Sequence, residues 1–575
     1  MTNGKRQRCV LPALTALAAL VFLTGIGWGL PSRAVDPYLF GSIRPWTGEE
    51  ILRLAGDRHW DPTRGADVAV HPIEDRTHIV ALNETDRQRA EIVRRYRLYS
   101  YQPDEMTTLM SLAGMRPSQG DFDPKLYQYG GLYIYPVGVA LKVASKIGFV
   151  DLKSDVAYYL DHPEAFGKFY VVARFTVAAW GIAGVLVVFF LTQRLTGGLL
   201  APAMAGLGYV LMPAVVNMAH EAKPHLPGAI LMLLTVLAAD RYVRSGRRRE
   251  AILAGALAGA AMGMVVSAIL AFSILPVMTL LRIASWRQRI ATTLMAGSIG
   301  LLVYFATNPY VAINLVRNRA VLQSNLGNST NMYSASGWTS GLTNAVGLLA
   351  EGASPGVLAL GVTVVFVMVL RRRIPAGRHG LALMLAVPAG LQLIQFFALA
   401  SGKPGEYGRF ALFLDVVLLV AAITGISQLS HSRGRIVMAA LIAGIGFFGG
   451  RYLIGFVRDC RPMTSRLVAA SGIRGQLEGG VRSIAIWAEP APYSLPPVDL
   501  FRCRLLLLPR DTSVDLGEAP ADLMIPRADA MMFPVNVSVD RREQAMIPRR
   551  MLAPPAMSWA DRRFCILRAG IPGSP

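Results

Sequence analysis

Apolar residues in this chain are gathered into long runs instead of being spread evenly along it. Most of the runs have the length that a helix needs to cross the roughly 30 Å of hydrocarbon in a bilayer. They lie at about 9–30, 170–192, 197–218, 226–243, 251–265, 267–282, 291–312, 345–370, 380–400, 408–429 and 436–456. The pattern predicts an all-α polytopic membrane protein with about eleven transmembrane helices.

The loops between these runs alternate in charge. Every second loop is rich in arginine and nearly free of acidic residues: Arg194, Arg241–Glu250, Arg282–Arg289, Arg371–His379 and Ser430–Arg435. The intervening loops, His220–His225 and Ser401–Arg409, carry fewer cations. Because basic loops stay on the cytoplasmic side, about eleven spans place the N-terminus in the cytoplasm and two large polar segments outside.

These boundaries divide the chain into four parts: a first transmembrane helix at 1–30, a first periplasmic loop at 31–168, a transmembrane bundle at 169–456 and a C-terminal periplasmic domain at 457–575. The C-terminal part contains short apolar runs at Ser483–Ala488, Arg504–Pro509 and Ala521–Pro526, which predict the strands of a small α/β domain. The run over 251–282 has no polar turn. It predicts either two short helices broken near Ser267, or one tilted helix followed by a re-entrant piece.

Composition agrees with this topology. The chain is 53% hydrophobic and 17% charged, and its mean hydropathy is +0.40. Its net charge of +21 would suit a nucleic-acid partner. However, many of the arginines lie in the short loops between apolar runs, so membrane topology explains them and no nucleic acid is implied.

The first outer segment holds the most informative motif. An acidic pair, Asp104 and Glu105, follows Pro103. A Gly-Asp-x-Asp-Pro turn comes next, and a tyrosine-rich run leads into the following helix. Acidic residues are favoured in the first turn of a helix. The simpler interpretation of the pair is therefore the start of a surface helix, and the functional one is a catalytic carboxylate.

This order of motifs resembles bacterial members of the dolichyl-phosphate-mannose–protein mannosyltransferase superfamily, which are polyprenyl-phosphate-dependent glycosyltransferases of the GT-C fold. The matching residues are Pro103, Asp104, Glu105, Gly120, Asp121, Asp123, Pro124, Tyr129, Tyr133 and Tyr135. Gly130 and Gly131 stand where relatives usually have Pro-Ser. Three further features fit the resemblance: Arg174 early in the second span, the end of the seventh span at Thr307–Tyr310, and the outer tail at Thr464–Leu477 followed by Ala491–Phe501.

The resemblance implies a membrane enzyme that moves a sugar from a polyprenyl-phosphate donor to an acceptor on the periplasmic side of the inner membrane, with inversion. Such chemistry needs a carboxylate base and cations that hold the lipid phosphate. The resemblance makes Asp104 the expected base and Glu105 its neighbour in that role or a support. The expected phosphate ligands are Lys403, Arg409 and Arg174. Basic residues at a lipid boundary are also ordinary anchors, whereas an intramembrane arginine usually faces a cavity or a partner.

The outer turn at His220–His225 allows two interpretations. His220, Glu221 and His225, with Lys223 between them, offer imidazole and carboxylate ligands for a divalent metal such as Mg or Mn. A polar turn that joins two helices explains the same residues more simply.

Several alternatives remain open at this stage. Asp36 lies closer to the first span than Asp104 and is the rival base. The acceptor is a protein, a lipid or a polysaccharide. A transporter or lipid flippase, or a non-catalytic envelope scaffold, would also account for the helices. Asp104→Asn separates an enzyme from both, because only an enzyme loses transfer.

Overall fold

A computed structural model of the chain describes residues 3–56, 80–282, 284–330, 332–333, 338–371, 379–402, 408–486 and 496–507, together with three short strands beyond them. The described part is mostly helical. Its helices in the first outer segment and around it are α1 Asn3–Leu23, α2 Asp36–Leu39, α3 Gly48–Ala55, α4 Asp86–Leu98, α5 Glu105–Ala113, α6 Gly131–Lys146 and α7 Val156–Asp161.

The remaining helices build the bundle and begin the C-terminal segment. They are α8 Pro163–Thr196, α9 Leu200–Leu211, α10 Pro213–Ala219, α11 His225–Ser245, α12 Arg248–Met264, α13 Ile274–Leu280, α14 Trp286–Thr307, α15 Pro309–Arg317, α16 Arg319–Thr330, α17 Trp338–Ala353, α18 Pro355–Arg371, α19 His379–Gly402, α20 Leu412–Ile426, α21 His431–Arg458 and α22 Ser465–Glu478. Both α8 and α11 end at a left-handed glycine, Gly197 and Gly246.

By length and composition, six helices in the described residues can cross a membrane, or up to eight if each bent helix pair is one span. The chain is therefore an integral membrane protein. Helix α1 and the stretch Val266–Leu280 are apolar but shorter. The predicted count of about eleven spans stays a prediction. The apolar run over 345–370 was predicted as one helix. It is instead two helices, and the chain bends by 107° between them at Ser354, whose φ is +82°.

Helices α11 and α20 form the centre of the bundle. In the most apolar stretch of each helix, 78% of the residues are buried in α11 and 83% in the span that contains α20. The corresponding value for α14, which lies at the periphery, is 17%. Outward-facing leucines of α14, such as Leu294 and Leu302, are exposed in the way that contact with lipid requires.

The long apolar run over 251–282 is broken at Val265, close to the predicted break near Ser267. Val265 is extended, and a 3₁₀ helix, Val266–Ser273, separates α12 from α13. The freed backbone groups pair with the first outer segment: Gly130 N–H donates to the carbonyl of Met264 at 3.0 Å, and Val266 N–H donates to that of Gln128 at 3.1 Å. This non-helical backbone is stable because Gln128 and Gly130 satisfy its hydrogen-bonding groups.

The two outer segments share one sheet. Its strands are β1 Val80–Ala81, β2 Ser483–Ile486, β3 Arg504–Leu507, β4 Leu523–Ile525, β5 Gln544–Met546 and β6 Cys565–Arg568, in the order β1-β3-β2-β4-β6-β5. Strands β2, β3 and β4 lie within the three apolar runs that the sequence predicts as strands. Strand β1 comes from the first outer segment and pairs antiparallel with β3, with Val80 opposite Leu507.

Candidate active site

The acidic pair stands at the beginning of α5, but its first member does not cap that helix. Asp104 is the N-cap residue and its side chain makes no capping hydrogen bond. A carboxylate that only started a surface helix would accept from the first free N–H groups. The side chain of Asp104 instead reaches toward Lys223, just before α11, and Arg409, just before α20.

Lys223 and Arg409 both form ion pairs with the Asp104 carboxylate. The Lys223 ammonium lies 2.9 Å from Asp104 Oδ2, and the Arg409 guanidinium lies 3.3 Å from the same oxygen. The side chain of Asp104 remains 40% exposed, whereas Lys223 is fully buried and Arg409 is 9% exposed. The site is therefore an accessible carboxylate backed by two enclosed cations.

The electrostatics of the site keep Asp104 ionised. Burial raises the pKa of Asp104, but the charges of Lys223 and Arg409 and the hydrogen bond from Lys223 together outweigh it and hold that pKa below its ordinary value. At neutral pH Asp104 is therefore an anion that can accept a hydrogen bond.

Glu105 differs from its neighbour because it is fully buried and fully bonded. Its Oε1 accepts from Arg174 Nε at 2.8 Å and from the Ala222 N–H at 2.7 Å. Its Oε2 accepts from Arg174 Nη2 at 2.7 Å and from the Ser100 hydroxyl at 2.5 Å. Glu105 thus fixes the start of α5 against α8 and against the 220–224 turn.

Arg174 lies inside α8 and is also completely buried. After its two bonds to Glu105, its Nη1 donates to the backbone carbonyls of Ile26 and Trp28 at 2.9 and 2.7 Å. The guanidinium packs 4.7 Å from the Trp28 ring. Its partners are therefore Glu105 and the backbone carbonyls of Ile26 and Trp28, which follow α1.

The turn between α10 and α11 brings the other expected residues together in part. His220 is buried, with Nδ1 2.7 Å from the Val216 carbonyl and Nε2 2.9 Å from the Thr24 carbonyl. Its ring stacks on Phe456 at 4.2 Å between centroids. Burial lowers the pKa of His220 to about 4, although the two carbonyls act in the opposite direction. His220 thus joins α10 to the stretch that follows α1 and to α21.

Glu221 and His225 lie close to Lys223, the residue that pairs with Asp104. Glu221 is buried, accepts from Asn217 Nδ2 at 3.1 Å, and places Oε2 3.2 Å from the Lys223 ammonium. Burial raises the pKa of Glu221 to about 7. His225 begins α11 between the rings of Tyr129 and Phe410, at 5.9 and 4.9 Å.

Asp36, the rival base, is bound by arginines. Arg97 donates to both of its oxygens, at 3.1 and 3.0 Å, and Arg33 donates to one at 3.2 Å. Asp36 is 5% exposed. It therefore holds the first outer segment together. Lys403, one of the expected phosphate ligands, lies outside the described residues.

The Gly-Asp-x-Asp-Pro turn and the tyrosine run also have a positioning role. The Asp123 carboxylate accepts from the Tyr127 hydroxyl at 2.8 Å and from Asn314 Nδ2 at 2.7 Å. At Gly130 a β-carbon would collide with the carbonyl oxygen of Gly263 in α12. Glycine in place of the usual Pro-Ser thus allows the outer segment to lie directly on the broken span.

Four residues that matter to the site were not singled out from the sequence. They are Trp28, Ser100, Asn217 and Phe410. Trp28 and Phe410 are brought to the cluster by tertiary packing. Ser100 and Asn217 are local, since each lies within five residues of the glutamate that it bonds, Glu105 and Glu221.

Comparisons with known proteins complete the description. No family model and no curated protein sequence matches the chain. Among solved structures, the chain is similar to the crystal structure of ArnT from Cupriavidus metallidurans bound to undecaprenyl phosphate, with 14% identity, a TM-score of 0.45, and coverage of 84% of this chain and 97% of that one. It is also similar to the oligosaccharyltransferase AglB from Archaeoglobus fulgidus in complex with an inhibitory peptide and a dolichol phosphate, with 12% identity, a TM-score of 0.35, and coverage of 66% and 58%.

Proposed function

We propose that the chain is a membrane glycosyltransferase that moves a sugar from a polyprenyl-phosphate donor to an acceptor at the periplasmic face of the bacterial inner membrane. One observation carries the proposal: Asp104 is an accessible, ionised carboxylate at the ends of the bundle helices, next to two enclosed cations. A sugar phosphate on a lipid needs this pairing of a base with cations at the membrane surface. The order of sequence motifs in the first outer segment points to the same class of enzyme.

In this proposal Asp104 acts as the general base. It takes the proton from an acceptor hydroxyl or amine as that group attacks the anomeric carbon of the sugar. The bond from the acceptor to the anomeric carbon forms while the bond from that carbon to the phosphate oxygen breaks, so the sugar is inverted. The polyprenyl phosphate leaves with the electron pair of the broken bond.

Lys223 and Arg409 stabilise the leaving phosphate, and Lys403 in the same outer loop as Arg409 is a third candidate. Negative charge grows on the phosphate as it leaves, and cations fixed in a partly dry site stabilise that charge well. The same cations lower the pKa of Asp104. A bound phosphate therefore shares their charge and makes Asp104 a stronger base when the donor is present.

Glu105 and Arg174 act as positioning residues in this scheme. Glu105 fixes the backbone next to Lys223, because its Oε1 accepts the N–H of Ala222, the residue before that lysine. Arg174 fixes Glu105 in turn. This assigns Arg174 a structural contribution to the site in place of direct phosphate binding.

A second candidate function, transport or flipping of a lipid, is favoured by one observation. Two helix pairs are bent, α9–α10 by 56° and α17–α18 by 107°, and broken helices are common at transporter sites. A transporter does not need a proton acceptor at Asp104, so the two functions differ in what the loss of that carboxylate does.

The test compares the lipids of a host strain that lacks the gene with those of the same strain after complementation. The deletion strain is complemented with the wild-type chain, Asp104→Asn or Asp86→Asn, and polyprenyl-phosphate sugars are measured by mass spectrometry. Asp86 is a matched control on α4, 57% exposed and paired only with its neighbour Arg89 in the described residues. We expect one lipid-linked sugar to accumulate in the deletion and Asp104→Asn strains, and to return to normal with the wild-type and Asp86→Asn chains. No accumulation in any strain would overturn the proposal.

A further inference from the structure

One ammonium group joins carboxylates from two different outer loops. Lys223 Nζ lies 2.9 Å from Asp104 Oδ2 and 3.2 Å from Glu221 Oε2. Both Lys223 and Glu221 are fully buried, and Asp104 is the accessible member. The lysine is therefore a fixed internal cation between the two acids.

Two acids from separate loops that converge on one point are a common arrangement for a divalent metal, whose ligands are mainly oxygens about 2.0–2.6 Å away. The donor set of this chain does not fit such an ion. Both oxygens of Glu105 are bonded by Arg174. Both ring nitrogens of His220 face backbone carbonyls. Within the described residues no group of three or more His, Cys, Asp or Glu side chains is arranged to hold a metal.

The charges of the cluster also argue against a divalent metal at this position. The cluster contains three carboxylates, those of Asp104, Glu105 and Glu221, and three cations, Lys223, Arg174 and Arg409. Counted as charged, they sum to zero. A divalent ion in place of the Lys223 ammonium would share the Asp104 carboxylate with the Arg409 guanidinium, and its double charge would repel that cation more strongly than the ammonium does.

We propose that Lys223 takes the place of a divalent metal between Asp104 and Glu221, so that this site binds a lipid phosphate without any metal ion. The lipid phosphate in this statement rests on the proposed function, whereas the replacement of the metal stands on the geometry of the three side chains. Glu221 is then a positioning residue: it holds the ammonium within reach of Asp104.

Binding of Mn²⁺ to the purified full-length chain, measured by electron paramagnetic resonance, tests the replacement without an activity assay. We expect the wild-type chain and Asp104→Asn to bind Mn²⁺ equally weakly. We expect Lys223→Ala, which removes the ammonium and leaves both acids, to bind it at least about tenfold more tightly. Stoichiometric binding by the wild-type chain that disappears in Asp104→Asn would overturn the proposal. A folded Lys223→Ala chain with no gain in affinity would overturn it as well.

A second measurement addresses the lipid. Undecaprenyl phosphate is titrated into the wild-type chain in nanodiscs, with EDTA or with Mn²⁺. Equal dissociation constants in the two conditions support the proposal, and a tenfold weakening by EDTA contradicts it. If the gene deletion changes no lipid-linked sugar, the proposed function fails, and the Mn²⁺ experiment still decides whether Lys223 occupies the position of a metal.

Discussion

The guanidinium of Arg174 binds both carboxylate oxygens of Glu105, at 2.8 and 2.7 Å, and neither side chain is exposed. A bidentate pair of this kind has a fixed geometry. It fastens the first outer segment to a bundle helix at the point where the acidic pair begins α5. The adjacent Asp104 is therefore held at a fixed position while its own carboxylate stays accessible.

Breaking this pair should destabilise the protein. Arg174→Met leaves a buried carboxylate without its main partner, which typically costs about 3–5 kcal/mol. We expect a clear fall in the melting temperature of the purified protein, followed by intrinsic fluorescence.

Arg44→Met is the control for this change. Arg44 pairs with Glu50 at the surface, with 66% of its side chain exposed, and exposed ion pairs contribute little. If Arg174→Met melted like the wild-type chain but bound undecaprenyl phosphate poorly, Arg174 would be a phosphate ligand, contrary to its assignment here as a positioning residue.

Glu221 should give the stability of the protein a specific pH dependence. Burial raises its pKa from 4.5 to about 7 in the folded state. The folded protein thus keeps a proton that the unfolded chain releases between those values, so the contribution of Glu221 to stability falls as the pH rises through that range. Glutamine does not titrate.

The measurement is the melting temperature of the wild-type chain minus that of Glu221→Gln, from pH 4.5 to 8. We expect this difference to fall up to about pH 7 and then to level off. The charged groups that interact with Glu221 are Lys223, Glu105 and Arg409. They are common to both proteins. A difference that rises with pH would contradict the account.

Gly130→Ala should weaken the contact between the first outer segment and the broken span. The added carbon meets the carbonyl oxygen of Gly263, which belongs to rigid backbone. Forced displacements of this kind cost about 1–3 kcal/mol, so the melting temperature should fall. Gly297→Ala in α14 is the control, because a β-carbon there meets nothing within 4 Å. An equal effect of the two changes would show that the contact at Gly130 is unimportant.

Asp36→Asn tests the rival base. Asp36 is 5% exposed and bonded by Arg97 and Arg33. We therefore expect the change to lower the melting temperature but to leave the transfer rate per folded molecule within about twofold of wild type. A loss of transfer at unchanged stability would make Asp36 the base.

The sequence predicts the helices well because apolar runs of bilayer length leave the backbone few choices. Even the break in the run over 251–282 falls close to its predicted place. The bend at Ser354 was not predicted, although Glu351 and the sequence Ser354-Pro355-Gly356 interrupt the apolar run there and are typical of a helix break. The pairing of β1 with β3 was missed for a similar reason: the two strands are more than 400 residues apart, and β1 has two residues.

At the candidate site, the sequence singles out the charged residues but not their partners. Asp104 and Lys223 were both named, in separate motifs, and only the fold shows that they bond. The resemblance made Arg174 an expected phosphate ligand, and its position inside a span predicted a cavity or a partner. The structure pairs it with Glu105, a residue 69 positions earlier that was already in the motif.

The central claim is that Asp104 acts as a base on an acceptor while the cations beside it hold the lipid phosphate. Its most direct test uses the wild-type chain and Asp104→Asn in nanodiscs, with the lipid-linked sugar that the deletion strain accumulates as donor. Single-turnover transfer and the dissociation constant for undecaprenyl phosphate are measured on the same samples. The account predicts that Asp104→Asn loses about 10²–10⁴-fold in transfer rate and binds the lipid at least as tightly as the wild-type chain. Transfer by Asp104→Asn at the wild-type rate would contradict it.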